Sequence, residues 1–314
     1  MNLAAIRSAN AKYLSSLPPT SLPVAVFVGG TSGIGRGMAE NFARHTNGNA
    51  HIVLVGRNKA AAESIISNFP RPSSLAAKHE FIQCDVTLMK NIQKATEELS
   101  KGKINYLVMS PGYITVKDRD ESEEGIDRKL AVHYYARWKF INDLLPALKK
   151  AKEMGEDAKV FSVLGAGQGG SINVNDLGMR QVYSKMAVKK AGPTYNDLMM
   201  EEFSSRNPGI TFIHAWPGWV RTPIGSQHAD SAVVRGVSTM LNGILRPLMM
   251  SAETSGECML YGMLNTANEP RAWRLTEHGE DIGMKNYFGT EEERTALWVH
   301  TVEEMRNALV QRRV

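Results

Sequence analysis

The sequence has few cysteines, no long apolar run and no block of like charges. Two cysteines in 314 residues, Cys84 and Cys258, cannot by themselves form a disulfide framework or a zinc site. We therefore expect no metal and a reducing, cytoplasmic location. No apolar stretch approaches the ~20 residues of a membrane-spanning helix, and the N-terminus lacks the apolar core of a signal peptide. The sequence thus predicts neither a membrane span nor a disulfide scaffold.

The charge distribution excludes a concentrated polyanion-binding surface. The net charge is +5, and the basic residues are scattered along the chain. Proteins that bind nucleic acid usually concentrate their basic residues, so we expect no nucleic-acid partner. Only 13 prolines and 27 glycines are present, too few for a fibrous or disordered chain. The composition is that of a globular protein, and we expect a small-molecule substrate.

Short β-branched segments alternate with helix-compatible segments through most of the chain. Such alternation requires crossover connections, which produce a parallel sheet covered by helices on both faces. The pattern predicts a doubly wound, Rossmann-type α/β fold. Strands are expected at residues 23–29, 51–55, 80–83, 105–109, 159–164 and 211–215. Helices are expected at residues 38–45, 59–69, 91–100, 126–150, 186–204 and 291–309.

The domain organisation follows from the same alternation. We expect a short N-terminal extension over residues 1–20 and one catalytic domain over residues 21–314. Residues 225–250 are rich in Gly, Met and Leu and have no strand pattern, which predicts a flap over the site. Residues 270–314 are expected to form a closing segment, with many turn residues up to Gly289 and then an amphipathic helix.

A glycine-rich turn follows the first predicted strand. It contains Gly29, Thr31, Ser32, Gly33, Ile34 and Gly35 in the spacing GxxxGxG. Glycines let the backbone approach a pyrophosphate, and the N–H groups and dipole of the following helix stabilise its charge. The turn therefore predicts a dinucleotide-binding site, although a glycine-rich turn also occurs for structural reasons alone.

The order of four motifs resembles the short-chain dehydrogenase/reductase family between about Val24 and Thr222. The first motif ends in Gly33-Ile34-Gly35, and three others follow in the family's order. They are Asp85-Val86 after the third strand, Ser110-Pro111-Gly112 after the fourth, and the segment that contains Pro217, Gly218, Val220 and Thr222. The resemblance implies that these residues hold adenine, the backbone of the cofactor and the nicotinamide carboxamide. It also implies association into a homo-oligomer.

The end of the second strand favours NADP(H). It reads Val55-Gly56-Arg57-Asn58 and has no carboxylate to accept the ribose hydroxyl of NAD(H). The guanidinium of Arg57 offers a fork of donors suited to a phosphate. The alternative is that Arg57 is an ordinary surface residue after a strand.

The family's catalytic residues are only partly present. The resemblance places the proton-donating tyrosine at Tyr183, but the lysine expected four residues later is Ala187. The pairs Tyr113/Lys117 and Tyr135/Lys139 have the required spacing, but neither follows the fifth strand. Ser162 and His133 are candidate substitutes for the family's serine and asparagine, with interior structural roles as the alternatives. No lysine on the Tyr183 helix returns to the tyrosine within hydrogen-bonding reach.

Three functions remain open from the sequence. The first is an NADP(H)-dependent reductase that acts on a carbonyl or imine of a fairly large, apolar metabolite. The second is a family scaffold that binds the nucleotide structurally while it catalyses a cyclisation, isomerisation or cycloaddition. The third is a binding or regulatory protein without catalysis. The altered residues look like those of a divergent fungal branch that includes enzymes of secondary metabolism, which favours a biosynthetic role.

Overall fold

The computed structural model describes residues 1–18, 21–115, 117–222 and 249–310. Its sheet has seven parallel strands in the order β3-β2-β1-β4-β5-β6-β7. Helices cover both faces, so the predicted doubly wound α/β fold is confirmed. Most of the predicted flap, residues 225–248, lies outside the described residues.

The strands and helices follow one another in regular alternation up to the sixth strand. The strands are β1 (Val24–Val28), β2 (His51–Gly56), β3 (His79–Gln83), β4 (Tyr106–Met109), β5 (Lys159–Val163), β6 (Thr211–Ala215) and β7 (Ala272–Leu275). The helices are α1 (Leu3–Ser15), α2 (Gly33–His45), α3 (Lys59–Ser67), α4 (Met89–Leu99), α5 (Arg128–Leu130), α6 (Ala136–Glu153), α7 (Lys185–Arg206), α8 (Ala252–Tyr261) and α9 (Glu291–Val310). Two π-helical turns span Ala131–Tyr135 and Gly262–Thr266, and a short 3₁₀ turn spans Val174–Asp176.

The central strands are buried on both faces because each face carries its own hydrophobic core. One core packs α4, α6, α7 and α9 against the sheet, and the other packs α1, α2, α3 and α8. Strands β4 and β5 are buried at every position, as is typical of a covered parallel sheet. None of the helices among the described residues is long and apolar enough to cross a membrane.

Four parts of the fold differ from the sequence prediction, and the first is helix α8, which lies where no helix was predicted. The turn-rich segment before α9 contains the edge strand β7, which pairs with β6. The N-terminal extension contains α1, whose buried Ile6 and Leu14 pack in the second core. The helix predicted at residues 126–150 is divided, because the π-helical turn Ala131–Tyr135 separates α5 from α6. These elements are short or depend on distant contacts, so local periodicity does not reveal them.

The topology places the site at the carboxyl end of the sheet. Strand β1 lies between β2 and β4, so the strand order reverses direction there. Ligands of doubly wound sheets bind outside the carboxyl ends of the strands at such a point. The predicted motifs follow β1, β2, β3, β4 and β6, and all of them therefore reach the same edge.

Candidate functional site

The glycine turn after β1 is shaped by close contact with the segment after β4. Gly29 has a φ of +81°, and a Cβ built on it would lie 2.8 Å from the Pro111 nitrogen. A Cβ on Gly35 would lie 2.1 Å from the Ser110 Oγ. Any larger residue at either position would collide with the segment after β4. The two glycines thus allow the turn and this segment to pack directly against each other.

A narrow pocket of about 160 Å³ opens beside this turn. It is lined by residues predicted to hold the cofactor, together with neighbours such as Tyr113 and Val132. The predicted residues in its wall are Gly29, Thr31, Ser32, Gly33, Ile34, Arg57, Asp85, Val86, Ser110, Pro111, Gly112 and Thr222. Motifs from five separate segments therefore meet in one pocket, as the family resemblance implies.

A wider cleft of about 960 Å³ adjoins the pocket and is rich in basic side chains. Arg36, Arg57, Lys59 and Arg221 line it. Asn58 also lines it, and the Asn58 Oδ1 caps α3 by accepting from the Ala61 N–H at 3.0 Å. Within the cleft, the Arg36 side chain pairs with Glu40 at 2.8 Å. The cleft offers an anionic group both cations and helix N-termini.

Two further predicted segments support the pocket from its sides. The Asp85 Oδ1 accepts hydrogen bonds from the backbone N–H of Thr87 at 3.0 Å and from its hydroxyl at 2.9 Å, which fixes the loop after β3. After β6, Pro217 and Gly218 turn the chain, with a φ of +70° at Gly218. Val220 is then held by a parallel bridge to Met250, and Thr222 reaches the glycine turn.

Ser162 lies in a buried polar network. Its Oγ donates to the Asn196 Oδ1 at 2.8 Å and accepts from the Arg137 guanidinium at 2.7 Å. The side chain has no exposed surface. Its hydrogen-bonding capacity is therefore used within the protein, and this geometry argues against the substrate-donor role considered from the sequence.

Arg137 is the centre of that network. Its guanidinium also donates to the carbonyls of Met109, Pro111 and Val163, and the residue is 1% exposed. Desolvation lowers the pKa of Arg137 to about 9, so the side chain remains charged at neutral pH. The buried Arg137 guanidinium thus forms hydrogen bonds with groups at the carboxyl ends of both β4 and β5.

His133 lies in the π-helical turn and is neutral. Its Nε2 accepts a hydrogen bond from the Tyr113 N–H at 3.3 Å, which assigns the ring proton to Nδ1. Burial and the nearby charges of Arg137 and Lys129 lower the pKa of His133 to about 3. The Asn196 amide donates to the His133 carbonyl at 2.8 Å. At neutral pH His133 is therefore uncharged and does not act as a proton donor through an imidazolium.

Tyr183, which lies just before α7, contacts a lysine of α5. The Lys129 Nζ donates to the Tyr183 hydroxyl at 2.9 Å and lies 5.1 Å from the centre of its ring. Lys129 is three residues before Val132, which lines the dinucleotide pocket. Desolvation, followed by the charge of Asp127, raises the pKa of Tyr183 above its ordinary value. The hydroxyl therefore stays protonated across the neutral range.

Sequence reasoning missed Lys129, Arg137 and Asn196. Lys129 contacts Tyr183, and Asn196 contacts Ser162, between separate elements of the fold, so no spacing along one helix reveals them. Arg137 had a partial signal, because it stands beside Trp138, Phe140 and Ile141, although Lys139 lies in the same segment. A charged residue on a buried helix face has to find partners inside the protein.

Comparison with known proteins agrees with this architecture. The family model described as short chain dehydrogenase matches residues 23–232. Oxidoreductase AN1596 of Emericella nidulans is 32% identical over 281 residues, which covers 89% of this chain and 81% of the relative. Short-chain dehydrogenase/reductase SAT2 of Stachybotrys chartarum is 27% identical over 281 residues, which covers 83% of this chain and 76% of the relative.

Solved structures share the fold at low sequence identity. A short-chain dehydrogenase from Sphingobium yanoikuyae in complex with NADPH matches with a TM-score of 0.56 and 18% identity over 80% of this chain and 87% of its own. A 3-ketoacyl-(acyl-carrier-protein) reductase from Brucella melitensis complexed with NADH matches with a TM-score of 0.57 and 19% identity over 84% of this chain and 98% of its own. Together with the family-model match, these findings show that the chain belongs to the short-chain dehydrogenase/reductase family of oxidoreductases.

Proposed function

We propose that this protein is an NADP(H)-dependent reductase that acts on a carbonyl or imine group of a fairly large, apolar metabolite. One observation carries the proposal. The pocket beside the glycine turn and the protonated Tyr183 are linked through a single helical segment, because Val132 lines the pocket and Lys129 contacts Tyr183. A nucleotide site and a proton donor therefore lie close together at the carboxyl edge of the sheet.

The preference for NADP(H) rests on the basic cleft. Arg57 follows β2, where the ribose of a bound dinucleotide is expected in this fold, and Lys59 and Arg36 line the same cleft. A ribose phosphate would bring a dianion to this cluster, whereas NAD(H) would leave the cations without that partner. We assign Arg57 and Asn58 to recognition of the phosphate.

The glycine turn fits the rest of the nucleotide. Gly29 and Gly35 allow the turn to pack against the segment after β4, and Thr222 lies beside Gly33. We assign Asp85 and Val86 to the adenine end of the pocket and the segment from Pro217 to Thr222 to the nicotinamide end. When bound, the reduced cofactor supplies a hydride.

Tyr183 is the proton donor in this proposal. Hydride addition to a carbonyl leaves negative charge on its oxygen, and a neutral hydroxyl can transfer a proton to that oxygen. The raised pKa of Tyr183 keeps the donor form present at neutral pH but makes the residue a poor base for alcohol oxidation. His133 offers a neutral Nδ1–H, and Ser162 and Arg137 position the strand ends. An iminium substrate already carries positive charge, so its reduction needs no proton donor.

Exposed apolar side chains around the site support an apolar substrate. Ile114 follows β4, Val182 and Met186 flank Tyr183, and Trp219 follows β6. Each is at least 42% exposed although it is strongly apolar. Ile114 and Trp219 lie in segments that follow strand ends, and Val182 and Met186 lie next to Tyr183, so these side chains are near the proposed substrate site.

Isotope transfer tests the proposed reaction. The probes are β-tetralone, an apolar bicyclic ketone, and N-methyl-dihydroisoquinolinium, an apolar iminium. Each is incubated with NADPH that carries deuterium at the transferable position, and the product is analysed by mass spectrometry. We expect one deuterium in the product and faster turnover with NADPH than with NADH. Conversion without label would instead indicate the non-redox scaffold, and faster turnover with NADH would contradict the cofactor assignment.

The location and assembly stay predictions. Cys84 and Cys258 are both buried and unpaired, which supports a reducing compartment such as the cytoplasm. A biosynthetic role and a homo-oligomer are further parts of the proposal, and sedimentation of the purified protein tests the second.

A further inference from the structure

The contact between Lys129 and Tyr183 has no counterpart in the spacing of the family motif. The motif expects a lysine four residues after the tyrosine, where this chain has Ala187. Tyr183 precedes α7, which begins at Lys185, whereas Lys129 belongs to α5. The cation beside the tyrosine therefore comes from a different part of the chain.

The Lys129 side chain is held in one place. It is 7% exposed, and its Nζ donates to the Lys117 carbonyl and to the Tyr183 hydroxyl, both at 2.9 Å. The Asp127 Oδ1 caps α5 by accepting from the backbone N–H groups of Lys129 and Leu130 at 3.0 and 3.1 Å. The helix cap fixes the Lys129 backbone, and the Lys117 carbonyl fixes its ammonium group.

The direction of the hydrogen bond decides what Tyr183 can do. A lysine ammonium only donates, so the Tyr183 oxygen accepts in this contact. The hydroxyl proton must then point away from Lys129, and the Asp127 carboxylate is a neighbouring acceptor for it. A nearby ammonium also stabilises the negative charge that remains on the phenol oxygen after the proton leaves.

The surrounding charges are nearly balanced. Asp118, Arg119 and Asp120 face the pair from the loop after β4, and Asp127 faces it from the start of α5. On α7, Lys185 pairs with Asp118 at 3.3 Å. Burial lowers the pKa of Lys129. The carboxylates of Asp118, Asp120 and Asp127 offset the charges of the neighbouring cations. Lys129 is a cation in direct contact with the Tyr183 oxygen.

We propose that Lys129 is the positioning residue for Tyr183, in place of the lysine that the motif lacks. The inference rests on the proposed reductase function. In the step it serves, the carbonyl carbon gains a hydride with its electron pair and is reduced while the cofactor is oxidised. The Tyr183 O–H bond breaks, its proton goes to the substrate oxygen, and Lys129 stabilises the tyrosinate until water reprotonates it.

Substitution of Lys129 separates this role from cofactor binding. In Lys129→Met, we expect β-tetralone reduction to fall about tenfold to a hundredfold, as for the loss of one charge-assisted hydrogen bond. The NADPH dissociation constant and reduction of N-methyl-dihydroisoquinolinium should stay within about twofold, because neither needs the proton. Lys129→Arg should recover part of the ketone activity. Lys189→Met, which removes an exposed lysine of α7, is the matched control and should have no effect.

A double-mutant cycle distinguishes this role from a structural one. If Lys129 acts through the Tyr183 hydroxyl, Lys129→Met should cause little further loss in a Tyr183→Phe background. Equal losses in both backgrounds would overturn the proposal. Unchanged ketone reduction in Lys129→Met would overturn it as well, provided that wild-type protein reduces the ketone.

A measurement without substrate or cofactor tests the contact itself. In ¹⁵N-lysine-labelled protein, the buried Lys129 ammonium should exchange slowly and give a resolved NMR signal, identified by its loss in Lys129→Arg. Tyr183→Phe should shift this signal and speed its exchange. If Tyr183→Phe leaves the signal and its exchange rate unchanged, the inference is overturned, even when the wild-type protein turns over the substrate. If wild-type protein reduces neither probe, the proposed function fails, and the NMR result still decides whether the contact exists.

Discussion

The nucleotide half and the proton-donor half of the site retain the family pattern to different degrees. Around β1 to β4, the glycine turn, Asp85 and Gly112 occupy the positions that the motifs predict, and they meet in one pocket. Around β5 and α7, Ala187 replaces the expected lysine and Ser162 is turned inward. The nucleotide half thus follows the motif, whereas the proton-donor half is rebuilt.

The two halves differ in how closely they follow the motif because one depends on backbone shape and the other on the positions of polar side-chain atoms. The nucleotide half depends on backbone shape, and at Gly29 and Gly35 only glycine leaves the necessary space. The proton-donor half depends on where a few polar atoms lie, and a side chain from any nearby element can provide them. Lys129 and Asn196 show this, because each reaches its partner from a different helix.

The largest expected effect is a loss of stability when Arg137, in the proton-donor half, is replaced. Arg137→Met removes four hydrogen bonds and leaves the carbonyls of Met109, Pro111 and Val163 without this donor. We expect a loss of about 3 kcal/mol or more in the free energy of unfolding, because buried groups lose their partners. Urea denaturation measures it. Lys149→Met on the exposed face of α6 is the control, and an equally small loss in both variants would contradict the role of Arg137.

A smaller effect is expected in the nucleotide half. Arg57→Ala should weaken NADPH binding by about tenfold to a hundredfold, which corresponds to ~1.5–3 kcal/mol for a charge-assisted contact. NADH binding should change little because NADH has no ribose phosphate. Titration of both nucleotides by fluorescence measures the difference. Equal weakening of the two would indicate a structural role for Arg57.

These two halves also differ in how well the sequence predicts them. Strands β1 to β6 can be predicted from short apolar runs, and the pocket can be predicted from the residues that come directly after those runs. Strand β7 escaped prediction because its Arg274 is buried by pairing with Asp197 at 3.1 Å, a contact that local sequence does not show. Lys129 escaped for the same reason, since its partner lies 54 residues away in sequence.

The smallest expected effect is in the pH dependence. In the proposed reaction Tyr183 acts in its protonated form, and its raised pKa keeps that form present beyond the ordinary tyrosine value of ~10. His133, with a pKa of about 3, is already neutral at the lower end of the range. We therefore expect kcat/KM for ketone reduction to change less than about threefold between about pH 6 and about pH 9. A tenfold fall on the alkaline side would contradict this expectation and would indicate that Tyr183 or Lys129 loses its proton there.

The most direct test of the account compares a ketone and an iminium in Tyr183→Phe. The substitution keeps the ring and removes the hydroxyl that contacts Lys129. We expect β-tetralone reduction to fall by about a hundredfold or more, with NADPH binding and reduction of N-methyl-dihydroisoquinolinium nearly unchanged. Unchanged ketone reduction would contradict the account and remove Tyr183 from the mechanism.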